Sequence, residues 1–141
     1  MNYKTSLAFR KETLVKLLNA IVLLEDEIVQ ALYDDFKKPA FEAVLTETNY
    51  VITELKDTIK NLNKWAKPER VWPSILNFPS TDYILREPYG KVLIIAPWNY
   101  PFQLALCPLV SAVAAGNQVV LKPSELTPNT AAIIKKIIEA D

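Results

Sequence analysis

The sequence predicts an α/β protein in which two N-terminal amphipathic helices lead into the first βαβα unit of a doubly wound parallel sheet, an incomplete domain of that class. Three observations carry the expectation. Apolar residues recur at helical spacing as far as Trp65, two short runs ("KVLIIAP" and "QVVLKP") are apolar without alternation, and the segment between those runs has the length of a crossover.

From about Ser6 to Phe36, residues Leu14, Leu17, Leu18, Ile21, Leu24, Ile28 and Leu32 share one stripe with charges between them, which predicts one long amphipathic helix. "KKPA" stops it, because proline disfavours helix at the residue before it and cannot continue the hydrogen-bond ladder. A second stripe follows in Leu45, Thr48, Ile52, Leu55, Ile59, Leu62 and Trp65, so residues 1–66 read as two antiparallel helices about a short connection. Residues 67–89 open with "KPERVWPSILNFPSTD", whose prolines and lack of period predict a surface connection rather than an element. "DYILREP" then alternates in part, as a short edge strand closed by Pro88 would.

At Gly90 the pattern changes, and residues 90–141 read as the βαβα unit. "KVLIIAP" has the form of a strand with helices over both faces. "PFQLALCPLVSAVAAG" is small and apolar on nearly all sides, a buried helix that begins near a proline and ends at Gly116. "QVVLKP" is a second two-sided strand, and "TPNTAAIIKKIIEAD" a second helix with Thr127 or Asn129 as its cap. Such a crossover is right-handed in nearly every sheet. A sheet of this kind ordinarily needs more than two buried strands, so the chain is expected to be a fragment.

Composition removes several functions. Sixteen basic and sixteen acidic residues cancel, which leaves no electrostatic footprint for a polyanion and predicts no nucleic-acid partner. No histidine occurs, so Ser-His-Asp and Cys-His catalysis and imidazole zinc sites are excluded, and no metal is expected. The single cysteine, Cys107, cannot form an internal disulfide and suits a reducing compartment. The polar N-terminus is no secretory signal, and the longest mostly apolar stretch, Leu104 to Gly116, is too short to span a bilayer; a soluble cytoplasmic protein is the expectation. Two glycines, Gly90 and Gly116, cannot write a P-loop or a G-x-G-x-x-G fingerprint.

In open α/β sheets ligands bind beyond the carboxyl ends of the strands. Two polar clusters stand there, "PWNYP" (97–101) after the first strand and "KPSE" (122–125) after the second, and neighbouring strands about 5 Å apart would give them one rim. Each residue also has an ordinary structural role open to it. Asn99 can cap the helix that follows it, Trp98 and Tyr100 can be pocket wall or core, and Lys122 and Glu125 can be solvated charges. Cys107 lies on an apolar helix without a basic neighbour to lower its pKa, and is expected to be inert.

Taken together, "EPYGKVLIIAPWNYPFQLALCPLVSAVAAGNQVVLKPSE" closely resembles the aldehyde dehydrogenase superfamily, in which P-W-N-[YF]-P and K-P-S-E end two strands at this separation. "DDFKKPAFEA" and "TDYILREPYG" are similar to the branch without a long N-terminal extension, which contains fatty and aromatic aldehyde dehydrogenases. The resemblance runs from about Phe9 to Asp141 and implies a Rossmann-like cofactor domain, here only its N-terminal part, with the catalytic domain absent. It implies that Asn99 donates its amide to the oxygen of a bound aldehyde, that Lys122 and Glu125, with Ser124 between them, hold the adenosine ribose of the cofactor, and that Ile95, Ala96, Pro97 and Trp98 line its nicotinamide side.

A glutamate accepts from a free 2′-hydroxyl and repels a 2′-phosphate, which favours NAD while leaving NADP open. The family reaction attacks the aldehyde with a cysteine thiolate, passes hydride to NAD(P)⁺ and hydrolyses the thioester with a glutamate's help. That cysteine and glutamate lie far downstream of K-P-S-E in family members, and Cys107 does not match the nucleophile's motif. The expectation is therefore an inactive N-terminal portion of an NAD(P)-dependent aldehyde dehydrogenase acting on a small-molecule aldehyde, the parent a homo-oligomer, as a dimer. Two alternatives stand beside it: an acyl-thioester or acyl-phosphate reductase of the same superfamily, and a truncated, non-catalytic protein that pairs through its helices or its edge strand.

Overall fold

The computed structural model describes residues 5–139. The first helical stripe forms α1 (Leu7–Leu23) and α2 (Glu25–Phe36), so the single helix expected over this stretch is divided at Leu24, whose φ of −103° and ψ of 15° leave the helical region. Ser6 caps α1 by accepting from the Phe9 N–H at 3.2 Å. Lys37 ends α2 in the left-handed region (φ 58°), and Pro39 precedes the next helix, as the sequence requires.

The second stripe is α3 (Ala40–Ala43), a π turn (Val44–Thr48) and α4 (Asn49–Trp65) in continuous succession. Its buried face differs from the expected one. Leu45 and Trp65 are exposed, whereas Glu47, Thr48, Val51, Leu55, Thr58 and Leu62 are buried. A π turn shifts the face a helix presents, and here it seats a carboxylate and a hydroxyl inside because both have partners there.

Residues 67–89, expected to be a connection and an edge strand, hold more structure than that. β1 (Glu69–Val71) and β2 (Asp82–Ile84) pair antiparallel in a sheet of their own, with a short 3₁₀ turn (Ile75–Asn77) between them. The "DYI" segment is thus half of a hairpin, and "ERV", which lacked a visible period, is the other half because three residues are too few to show one.

The βαβα unit is present as β3 (Lys91–Ile95), α5 (Gln103–Ala115), β4 (Gln118–Lys122) and α6 (Pro128–Glu139). β3 and β4 pair in parallel from Lys91↔Gln118 to Ile95↔Lys122. The Asn117 side chain closes the start of this ladder by accepting from the Gly90 N–H at 3.0 Å. Gly116 ends α5 at φ 91°, and a Cβ there would lie 2.5 Å from the guanidinium of Arg10, which donates to the Ala114 carbonyl. The positive φ favours glycine, and a larger residue would also have to push the Arg10 guanidinium aside.

One core joins all these pieces except the hairpin. Leu14 and Ile21 of α1, Ile28 and Leu32 of α2, Val51 and Leu55 of α4, Leu106 and Val110 of α5, and Ile134 of α6 are essentially inaccessible. α1 packs on α4 and α5, and α2 packs on α6, so the helical region and the βαβα unit are one body. The two-sided burial expected of the strands is not found. α5 covers Ile94, Val119 and Leu121, whereas Leu93, Ile95 and Val120 stay more than 60% exposed because no described element covers that face.

Candidate functional site

The carboxyl ends of β3 and β4 lie side by side, because Ile95 and Lys122 are partners in the parallel register. The Ala96 N–H donates to the Lys122 carbonyl at 3.0 Å and carries the pairing one residue further. Beyond it the chain turns outward. Ala96 is buried, Pro97, Trp98 and Asn99 are exposed, and the chain goes under again at Pro101 and Phe102. The Leu104 N–H donates to the Tyr100 carbonyl at 2.9 Å and starts α5.

Capping does not account for Asn99. The residue preceding α5 receives no side-chain cap bond, and the first amides of the helix go elsewhere: the Phe102 and Gln103 N–H groups donate to Oε2 of Glu47 at 3.0 and 2.9 Å. A carboxylate at a helix N-terminus satisfies orphan donors and meets the positive end of the helix dipole. The other oxygen of Glu47 accepts from Lys38 Nζ at 2.5 Å, with both side chains buried. The same ammonium lies 4.4 Å from the centroid of the Tyr100 ring and 5.1 Å from that of Phe36. A desolvated cation over an aromatic face is attracted by the ring quadrupole. Asn99 is therefore followed by a ring seated on a buried lysine and a helix start seated on a buried glutamate, while its own carboxamide makes no hydrogen bond among the described residues.

At the end of β4, Lys122 Nζ donates to Glu125 Oε2 at 2.6 Å, with both side chains largely exposed. The Glu125 carboxyl is held below the usual carboxylate range, first by this hydrogen bond, then by its own backbone N–H and by the lysine charge. Ser124 is buried and its Oγ accepts from the Leu126 N–H at 3.2 Å, shaping the turn. Neither cap expected for α6 is used. Thr127 donates its hydroxyl to the Ser124 carbonyl, Asn129 lies inside the helix, and Asp35 of α2 does the capping. Its two oxygens accept from the N–H groups of Asn129 and Thr130 at 3.0 and 2.8 Å, and from their side chains at 2.9 and 2.6 Å. A carboxylate with two backbone and two side-chain donors outcompetes a neutral oxygen.

The structure thus brings Ile95 and Ala96 against Lys122, and Lys122 against Glu125. No hydrogen bond or ion pair among the described residues joins Asn99 to Lys122 or Glu125. Concavities of about 590 and 350 Å³ lie elsewhere, one in the hairpin around Trp72 and Phe78, the other between α2 and α6. Sequence reasoning missed Glu47, Lys38 and Asp35. Glu47 had a legible signal, since it sits four residues from both Ala43 and Val51 on an apolar face, where an acid needs a partner.

Chemically, the rim offers a neutral amide, an ammonium–carboxylate pair and exposed strand-end apolar groups. An acceptor beside a donor suits vicinal hydroxyls, and the ionised state of Glu125 keeps the acceptor available. Cys107 is half-buried, and burial first, then the charge of Glu54, pushes its thiol up to about 11. No group of His, Cys, Asp and Glu among the described residues could hold a metal ion.

Comparison with known proteins assigns these features a context. The family model "Aldehyde dehydrogenase family" matches residues 3–140. The chain is 49% identical over 132 residues to the 4,4'-diaponeurosporen-aldehyde dehydrogenase of Staphylococcus aureus, covering 94% of this chain and 29% of that protein. A substrate-bound structure of Staphylococcus aureus AldH superimposes with a TM-score of 0.91 at 48% identity, over 96% of this chain and 30% of that one. A P. syringae indole-3-acetaldehyde dehydrogenase mutant, in complex with NAD+ and IAA, superimposes with a TM-score of 0.79 at 28% identity, over 97% and 27%. The chain spans under a third of the length of these relatives.

Proposed function

The chain belongs to the aldehyde dehydrogenase family, and we propose that it contributes an oxyanion-donating amide, Asn99, and the ribose end of an NAD site to an enzyme that oxidises an aldehyde to a carboxylic acid. The observation that carries this reading is the division of labour at the start of α5: Glu47 satisfies the helix amides, so the Asn99 carboxamide is left exposed at the carboxyl rim of the sheet.

A neutral amide suits the task. It donates to an oxygen as negative charge builds there, and it has no proton to lose at working pH. Glu125 accepts from a ribose hydroxyl, Lys122 holds that carboxylate ionised and in place, and Ser124 fixes the turn that presents it. Ile95, Ala96, Pro97 and Trp98 supply the apolar wall on the nicotinamide side. NAD, when bound, supplies the hydride acceptor. None of the 141 residues matches the family's nucleophilic cysteine or hydrolytic glutamate, so this chain by itself is proposed to be inactive.

Residues 1–141 form the N-terminal part of the cofactor domain in this reading, with 1–66 as its helical hairpin, 67–89 as a connection and edge strand, and 90–141 as the βαβα unit. The exposed apolar residues of the hairpin, Trp72, Ile75 and Phe78 among them, support a dimer of the full-length protein, which sedimentation would test. No helix among the described residues is long and apolar enough to cross a membrane, and the proposed location is the cytoplasm, checked by cell fractionation.

In the full-length protein, Asn99→Ala is expected to lower turnover by 10²- to 10³-fold, about 3 kcal/mol, the usual loss for one oxyanion donor. Turnover within about twofold of the parent would overturn the assignment. Glu125→Gln is expected to weaken NAD more than NADP, because only the carboxylate rejects a 2′-phosphate. Equal weakening of both would remove the cofactor preference.

A further inference from the structure

We propose that Glu47, paired with Lys38, is a positioning residue for Asn99, an inference that rests on the reading of Asn99 as the oxyanion donor. Both side chains are buried, Glu47 completely, and taking two charges out of water costs more than their attraction usually returns. A well-packed apolar pair of similar volume would avoid that cost but would leave the Phe102 and Gln103 N–H groups without their acceptor. What an apolar pair could not do is grip the backbone on one side of Asn99 by directional bonds.

Two backbone bonds and one ring contact converge. Oε2 of Glu47 takes the Phe102 and Gln103 N–H groups, Oε1 takes the lysine, and the lysine in turn carries the Tyr100 ring at 4.4 Å. Tyr100 follows Asn99 directly, and Phe102 is three residues on. The carboxylate is itself fixed at its base, since it lies in the π turn whose next residue, Thr48, donates to the Glu25 carboxylate at 2.7 Å. The loop bearing the amide is thereby tied to α2, to the π turn and to α5 at once. An oxyanion donor repays such fixing, because a misplacement of about 1 Å can cost on the order of 10²-fold in rate.

The test is a double-mutant cycle in the full-length protein, with rates expressed per titrated active site so that misfolded protein does not count. Glu47→Gln is expected to lower kcat and kcat/KM together by roughly tenfold with KM held within about twofold, since an interaction made only in the transition state is weakened. In the Asn99→Ala background the same change is expected to cost less than about twofold, because nothing remains to be positioned. Where Glu47→Gln alone does not fold, Lys38→Met with Glu47→Gln removes both charges, keeps one oxygen for the Phe102 and Gln103 N–H groups, and is read in the same two backgrounds. An equal loss with and without Asn99 would make Glu47 merely structural and overturn the inference while Asn99 kept its role. A silent Asn99→Ala would instead bring down the oxyanion reading, and this inference with it.

Discussion

Replacing Asp35 by alanine tests whether α6 is held from a distance. The carboxylate takes two backbone and two side-chain donors at the first turn of α6. Asn129 is exposed, so water replaces Asp35 there and its two bonds contribute little. Thr130 is fully buried, and its N–H and hydroxyl would lose their acceptor with no water at hand. Each buried orphan costs about 1–3 kcal/mol, and a lost helix cap alone costs about 0.5–2 kcal/mol. Because the N–H enters both accounts, the expected loss is about 2–3 kcal/mol. Local opening would then rise roughly 30- to 140-fold, at tenfold for every 1.4 kcal/mol. Hydrogen exchange of the α6 amides measures this directly, with Asp35→Asn falling between parent and alanine because it retains one acceptor. Protection of α6 within about threefold of the parent would refute the reasoning, since even one orphan of 1 kcal/mol exceeds that.

The other expectations concern charge. Removing the ammonium by Lys122→Met should raise the Glu125 carboxyl toward the ordinary carboxylate range, because the lysine hydrogen bond is the first cause of its depression; an unmoved side-chain titration by NMR would contradict this. The sign follows from linkage: with its folded pKa below the unfolded one, the pair's contribution is present above the unfolded value and is lost as pH falls through the folded one. Cys107, with a thiol near 11, should resist alkylation at pH 8 in the folded protein and react readily once unfolded; equal rates in both states would show that burial does not protect it.

The parts of the fold legible in the sequence are those in which a local period reports a global arrangement. "KVLIIAP", "QVVLKP" and the crossover between them became β3, α5 and β4, and Gly116 became the left-handed stop the pattern asked for. The rim of the candidate site was legible for the same reason, since parallel pairing makes Ile95 and Lys122 neighbours once both strands are recognised. The hairpin was not, because three-residue strands are paired by tertiary context rather than by period. The break at Leu24 and the shifted stripe of α4 were hidden too. Each depends on what lies across the helix, as with Glu47, which is inside only because Lys38 and two amides meet it.

These long-range carboxylates also bear on how a dinucleotide could be held. Both crossover helices start at the carboxyl edge of the sheet, where their free amides would ordinarily form an anion site of the kind that seats a pyrophosphate. Here both starts are filled, α5 by Glu47 and α6 by Asp35, each bringing a negative charge to the positive end of a helix. A phosphate approaching either would meet a carboxylate instead of open N–H groups. The absence of a glycine fingerprint agrees with the filling of these ends, for a helix start already occupied by a carboxylate gains nothing from a glycine that would let a phosphate near. Under the proposed function, recognition at this edge falls to side chains that meet neutral groups: an amide at Asn99 for a carbonyl oxygen, and the Lys122–Glu125 pair for hydroxyls.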